Sequence, residues 1–220
     1  MPRAMKHNAQ NRILKPARYD GEENRRVVLE AALRVFSEVG FSAASTRAIA
    51  AAAGIEQGHL AYYFPTKLML WRQVLDAFAR KGEAHLRENL SGDTLIDAVA
   101  TAHRVLPGFL RTFAEEPRLT RLMLQEFSVA SERHEWLVDT FGRPVWELLA
   151  PLFEALARQG RLAGAGPEVA YFSLIGSALI TFGNSELVRS MTGAEPSDEA
   201  WIERAISHMI GPVLMPVASR

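Results

Sequence analysis

The stretch from Ser45 to Lys67, STRAIAAAAGIEQGHLAYYFPTK, constrains the fold more than any other part of this chain. Ser45 stands where a helix needs an N-cap, with a hydroxyl that can accept from a free N–H of the first turn. Arg47 to Ala53 then predicts a short helix, because alanine has the highest helix propensity. Ile49 and Ala52 or Ala53 face inward. Gly54 follows where a helix end calls for the left-handed conformation. Ile55 plugs the turn, and a second short helix runs from Glu56 or Gln57 to about Phe64. Pro65 stops it, since proline lacks an N–H and restricts the residue before it. Two short helices about a Gly-containing turn form a helix-turn-helix. Ala-rich helical hairpins also occur in plain bundles, so the pattern alone leaves both readings standing.

The rest of the chain carries a helical period. A first helix is predicted from about Gly21 to Val39, with Asp20 and Glu23 at capping-box spacing. Val28, Ala32, Val35, Phe36 and Val39 form its buried stripe. Gly40 ends it and Phe41 plugs the base of a three-helix unit. Thr66 caps a long helix over 67–89, with Leu68, Trp71, Leu75, Phe78 and Leu86 on one side, until Ser91-Gly92 breaks it. Further helices are predicted over 93–113 with a bend at Pro107, and from Glu115-Glu116-Pro117 through Phe127. A seventh spans 131–159, with bends at Pro144 and Pro151; an eighth spans 167–191 and a ninth 197–213. No stretch holds a strand period, so the fold class is all-α with about nine helices.

Composition narrows the function. The 220 residues contain no cysteine, which excludes a disulfide framework and suits a reducing cytoplasm. The opening MPRAMKHNAQNRILKP has no apolar core of signal-peptide length. The longest uncharged run, Val169–Ser185, is short for a membrane span and carries Ser173, Ser177, Thr181 and Asn184. Net charge is zero, yet residues 1–67 hold ten Lys/Arg against six Asp/Glu, and residues 68–220 hold fifteen against nineteen. A basic head on an acidic body fits a chain whose head alone meets phosphates. Residues 1–20 read as a flexible basic arm, either lying along a minor groove or simply solvated.

The DNA reading assigns specific roles. A recognition helix puts its N-terminal residues into the major groove. Here Gln57 can pair with adenine, His59 can donate, and Gly58 lets the backbone come close. Arg47 can bind guanine bidentately. Ser45 caps the preceding helix, while Thr46, Tyr62, Tyr63 and Lys67 are placed for phosphates. Of the two tyrosines, either can pack inward with Phe64 while the other faces outward.

Phe36, Gly40-Phe41, Ser45-Thr46-Arg47, Ile49-Ala50, Ala53-Gly54-Ile55, Leu60, Tyr62-Tyr63-Phe64 and Lys67 together resemble the DNA-binding domain of the tetracycline-repressor (TetR) family, without gaps over residues 24–75. The resemblance implies that Ser45, Thr46, Arg47, Gln57, Gly58, His59, Tyr62, Tyr63 and Lys67 contact DNA. It implies a helix-turn-helix domain over 21–66 and a larger helical ligand-binding and dimerisation domain over 67–220. It also implies a homodimer through the eighth and ninth helices, bound to a pseudo-palindromic operator and released by a small effector. Repression follows from family habit. The sequence departs from the family at Ala61, often a phosphate-contacting tyrosine, and at Met69, often a cap-completing glutamate.

Beyond residue 67 the chain is rich in aromatic residues and methionine with sparse polar groups, the lining a small-molecule site needs. The candidate ligand residues are Trp71, His103, Phe109 and Phe113, together with Met123, Phe127, Trp146 and Phe172. Small Ser173, Gly176, Ser177 and Ala178 permit close helix approach, and Trp201, Ala205, His208 and Met209 offer the ninth helix a mating face. None of the six histidines forms an H-E-x-x-H pair, and Gly164-x-Gly166 follows no strand, so no catalytic residue, metal site or cofactor is assigned. Two alternatives remain beside the regulator: an all-α enzyme with its site in the C-terminal part, and a DNA-binding protein blind to ligand.

Overall fold

The computed structural model describes residues 21–90 and 96–214. The basic arm, Asp20, Ser91-Gly92 and Asp93 lie outside the described residues, as does the side chain of Phe78.

The first three helices pack on the start of the fourth. Helix α1 (Gly21–Ala43) is broken at Gly40, whose φ of 74° and ψ of 167° fall in a region nearly confined to glycine. Val28, Ala32 and Phe36 are fully buried at i, i+4, i+8, whereas Val39 is 52% exposed and leaves the predicted stripe. Glu23 pairs with Arg26 at 2.7 Å. Helix α2 (Thr46–Ala53) is capped by Ser45 Oγ, which accepts from the Ala48 N–H at 3.1 Å. Gly54 is left-handed, φ 68°, and Ile55 N–H closes the turn on Ala50 O. Helix α3 (Gln57–Tyr63) buries Leu60, and Phe64 seals its end. Burying each such Leu or Phe is worth about 1.5–3 kcal/mol.

Helix α4 (Lys67–Asn89) starts under Thr66 Oγ1, which accepts from the Met69 N–H at 3.0 Å. It touches α1 at one end and the later helices along its length. Helix α5 (Ala98–Glu115) begins later than the sequence period suggests, because Asp97 is its N-cap. It crosses α4 at Gly108, where a Cβ would meet the His85 ring at 2.3 Å.

Helix α6 (Pro117–Phe127) is followed by α7 (Glu132–Leu137), a π-helical turn (Val138–Gly142) and α8 (Arg143–Arg158). The predicted 131–159 helix is therefore divided just ahead of Pro144. Proline cannot donate and crowds the carbonyl four residues back; the turn widens, and the Arg143 N–H bonds Val138 O. The predicted 167–191 helix is likewise divided, into α9 (Pro167–Gly183) and α10 (Ser185–Thr192), at Asn184 with φ −117° and ψ 43°. At Gly183 helix α9 lies on α6: a Cβ there would stand 3.2 Å from Arg121 N, and Arg121 Nε donates to Gly183 O. Helix α11 (Glu199–Val213) packs on α5 and α9.

Candidate nucleic-acid interface and ligand cavity

The helix-turn-helix presents a distinct outer face. Leu60 and Phe64 turn inward, and this leaves Gln57, Gly58, His59 and Tyr62 exposed on α3. Tyr62 is 83% exposed, its ring edge-on to Tyr63 at 5.5 Å. Tyr63 is half-buried against the core, so of the pair Tyr62 faces outward. Arg47 is exposed on α2, and among the described residues its guanidinium makes no ion pair or hydrogen bond. Thr46 is half-buried at the start of α2.

Two residues predicted to contact DNA are already engaged within the chain. Lys67 is not a free ammonium waiting for a phosphate. Its Nζ donates to Phe41 O and Ala44 O at 2.8 Å each, reaches Ser42 O at 3.4 Å, and sits 4.4 Å over the Phe41 ring. It closes the open carbonyls where α1 ends, the satisfaction a helix C-terminus requires. The Ser45 hydroxyl is similarly committed to capping α2.

An apolar cavity of about 60 Å³ lies among α4, α5, α6, the π-helical turn, α8 and α9. Four predicted residues line it: Phe109, Phe113, Met123 and Phe127. The other four do not. Trp71 is fully buried but turned toward Phe41 and Trp136, at 6.1 and 5.4 Å. His103 is exposed, opposite the α5 face that buries Ala102, Val105, Leu106 and Phe109. Trp146 stands behind the wall, 5.0 Å from Tyr171. Phe172 is 70% exposed on the outside of α9. The sequence reading missed Phe141, Val145, Tyr171, Ile175 and Leu179. Tyr171, Ile175 and Leu179 recur at i, i+4, i+8, a stripe that was available but hidden because α9 is apolar all round.

From the cavity wall a continuous run of rings leads back to α1. Phe141 meets Trp136 at 5.5 Å, Trp136 meets Trp71 at 5.4 Å, Trp71 meets Phe41 at 6.1 Å, and Phe41 meets Phe36 at 5.9 Å. Arg133 lies 4.3 Å over Phe41 while paired with buried Glu126 at 2.8 Å, so Glu126 is a satisfied core group. Arg118 on α6 also bridges to Glu30 on α1 at 2.7 Å.

The outward side of α9 carries Val169, Phe172, Ser173, Ser177 and Ile180, all exposed. Beside it, α11 offers His208 and half-buried Ala205 and Met209. Ala178 is not part of that face: it is fully buried within its own chain. Among the described residues no group of His, Asp or Glu is arranged to hold a metal, and no helix is long and apolar enough to cross a membrane.

Residues 28–74 match the sequence model of the bacterial regulatory proteins of the tetR family. The chain is 25% identical over 192 residues to the HTH-type transcriptional regulator RutR of Escherichia coli K12, covering 84% of this chain and 86% of that one. It is 29% identical over 131 residues to the HTH-type transcriptional repressor KstR of Rhodococcus jostii, 59% of either chain. A TetR-like transcriptional regulator from Rhodococcus sp. RHA1 has the same fold, with a TM-score of 0.63 at 20% identity, covering 86% of this chain and 93% of that one.

Proposed function

We propose that this chain is a member of the tetR family of bacterial regulatory proteins, whose sequence model its residues 28–74 match, and that it is a dimeric cytoplasmic repressor that leaves its operator when a small, mainly apolar effector enters the cavity. The observation that carries the reading is the outer face of the helix-turn-helix. Arg47, Gln57, His59 and Tyr62 are exposed together there, and among the described residues none has an ion-pair or hydrogen-bond partner. Residues 21–66 are the DNA-binding part and 67–220 the ligand-binding and dimerisation part.

A two-fold dimer puts two copies of α3 into successive major grooves about 34–36 Å apart. The outward faces of α9 and α11 supply its seam. Val169, Phe172 and Ile180 are large apolar side chains left in water on the isolated chain, which a mating surface would cover. Helix α4 and the ring series Phe141–Trp136–Trp71–Phe41 couple cavity to head, since a ligand that moves Phe141 pushes directly on α4 and α1.

The test has three readings. Selection from random duplex DNA should recover a two-fold symmetric site, sedimentation should give two protomers per site, and Trp136→Leu should reduce effector-driven release while leaving operator affinity alone unchanged. Recovery of no preferred sequence would sink the regulator reading, and a monomer that binds tightly would sink the dimer.

A further inference from the structure

We propose that the cavity takes an uncharged, largely apolar molecule bearing one hydrogen-bond acceptor, which the hydroxyl of Tyr171 holds, and that it rejects carboxylates and other anions. This rests on the reading of the cavity as the effector site. It follows from which polar groups reach the wall and which of them are already engaged.

Tyr171 is 5% exposed, and its ring is fixed edge-on by Trp146, Phe153 and Phe172 at 5.0, 5.9 and 5.2 Å. Among the described residues its hydroxyl has no hydrogen-bond partner. Buried tyrosine hydroxyls ordinarily have one. Burial alone pushes this phenol up to about 12, so it is a neutral donor at any physiological pH. The ring is thus buried, the hydroxyl has no partner among the described residues, and the residue stands on the wall of an apolar cavity.

Among the described residues the remaining wall offers no competing donor and no cation. Thr112 Oγ1 spends its hydrogen on Phe109 O at 2.7 Å. Among the described residues the one charged wall residue is Glu83, held by Arg87 at 2.6 Å, and no Lys, Arg or His lines the cavity. An entering carboxylate would therefore lose its water, meet no positive charge and face Glu83. Burying an unpaired charge is costly enough that the neutral form is favoured instead. A carbonyl or ether oxygen carries no such cost and gains one hydrogen bond.

Three probes of matched skeleton test this by titration into the full-length protein: acetophenone, with one acceptor; ethylbenzene, with none; and benzoate, an anion. Tyr171→Phe removes only the unpaired oxygen, so it should fold with an undiminished melting temperature. Acetophenone should bind the wild type and lose about tenfold in Tyr171→Phe, the worth of one buried hydrogen bond. Ethylbenzene should bind both proteins alike, and benzoate neither. Acetophenone indifferent to Tyr171→Phe, or benzoate binding as tightly as acetophenone, overturns the assignment and leaves an effector cavity standing. If none of the three binds, the cavity takes no molecule of this skeleton, and the assignment falls.

Discussion

Replacing Lys67 by methionine separates two roles that sequence reasoning merges. Methionine keeps the apolar stem and removes the ammonium. In the structure that ammonium makes two hydrogen bonds of 2.8 Å, to Phe41 O and Ala44 O, and lies 4.4 Å from the Phe41 ring centre. A hydrogen bond involving a charged group is worth about 1.5–3 kcal/mol, and a cation over an exposed ring about 0.5–1. One side chain makes all these contacts and gives up part of its hydration to do so, so the sum overstates the loss. The expected destabilisation is about 2–4 kcal/mol. A solvent-facing phosphate lysine would instead change stability by less than about 0.5 kcal/mol, and its loss would reduce the salt slope of DNA binding by about one. Urea unfolding at fixed protomer concentration gives the first quantity, and operator titrations across a salt series give the second. Near-normal stability with a shallower salt slope would show that the ammonium serves DNA and that its three carbonyl contacts are incidental.

Other substitutions probe the remaining parts. Arg47→Ala should cost about 1–3 kcal/mol of operator affinity and relax preference at one base pair per half-site; unchanged preference at matched salt would remove Arg47 from base reading. Phe172→Glu, on the exposed face of α9, should shift sedimentation toward monomer without lowering the melting temperature measured at low concentration. Alkaline stability should report Tyr171. Its folded value of about 12 lies above the ordinary 10, so the folded chain keeps a proton that the unfolded chain releases. Stability is unaffected below about pH 10 and should fall by roughly 2–3 kcal/mol as pH rises toward 12. Tyr171→Phe should abolish that part of the loss, and an identical alkaline profile in the variant would show the phenol to be hydrated.

The helix-turn-helix from Ser45 to Pro65 was legible because its signals are local. A cap at Ser45, a left-handed Gly54 and a stop at Pro65 act within a few residues, and each is seen in the geometry. The carbonyl partners of Lys67 were not legible because they stand 23–26 residues earlier, a tertiary fact that spacing does not encode. In the body, periodicity located the helices but not how their faces are shared. Helix α9 buries Leu174 and Ala178 in the core, lines the cavity with Tyr171 and Ile175, and exposes Phe172 and Ile180. When three faces of one helix are apolar, the hydrophobic stripe no longer says which face meets what. Phe172 was thus assigned to the cavity one residue from Tyr171, which lines it. The break at Val138–Gly142 was flagged by Pro144 as a bend, and the wider turn puts Phe141 on the cavity wall.

The size of the cavity sets the energy available for switching. Ligand sites generally begin at about 300 Å³, so opening a space of about 60 Å³ to that size creates roughly 240 Å³ of new void. At about 24 cal/mol per Å³ of void that costs about 6 kcal/mol before any ligand fills it. The open form then holds about one molecule in 10⁴, so a ligand must favour it by about 6 kcal/mol to bring the two forms level and by roughly 3 kcal/mol more to reach 99:1. Filling the opened space returns about the first amount, and specific contacts must supply the rest. A ligand with intrinsic nanomolar affinity would accordingly be seen to bind at about 10 μM. If Phe141 cannot stay in place when the space opens, Trp136 and Trp71 must follow, and α4 moves at the end that holds Lys67 and the base of α1. Operator DNA, held by the closed form, must then weaken the ligand by the factor that the ligand weakens it. Ligand affinity measured with and without saturating operator decides the matter: equal values would reduce the cavity and the ring series to ordinary core packing.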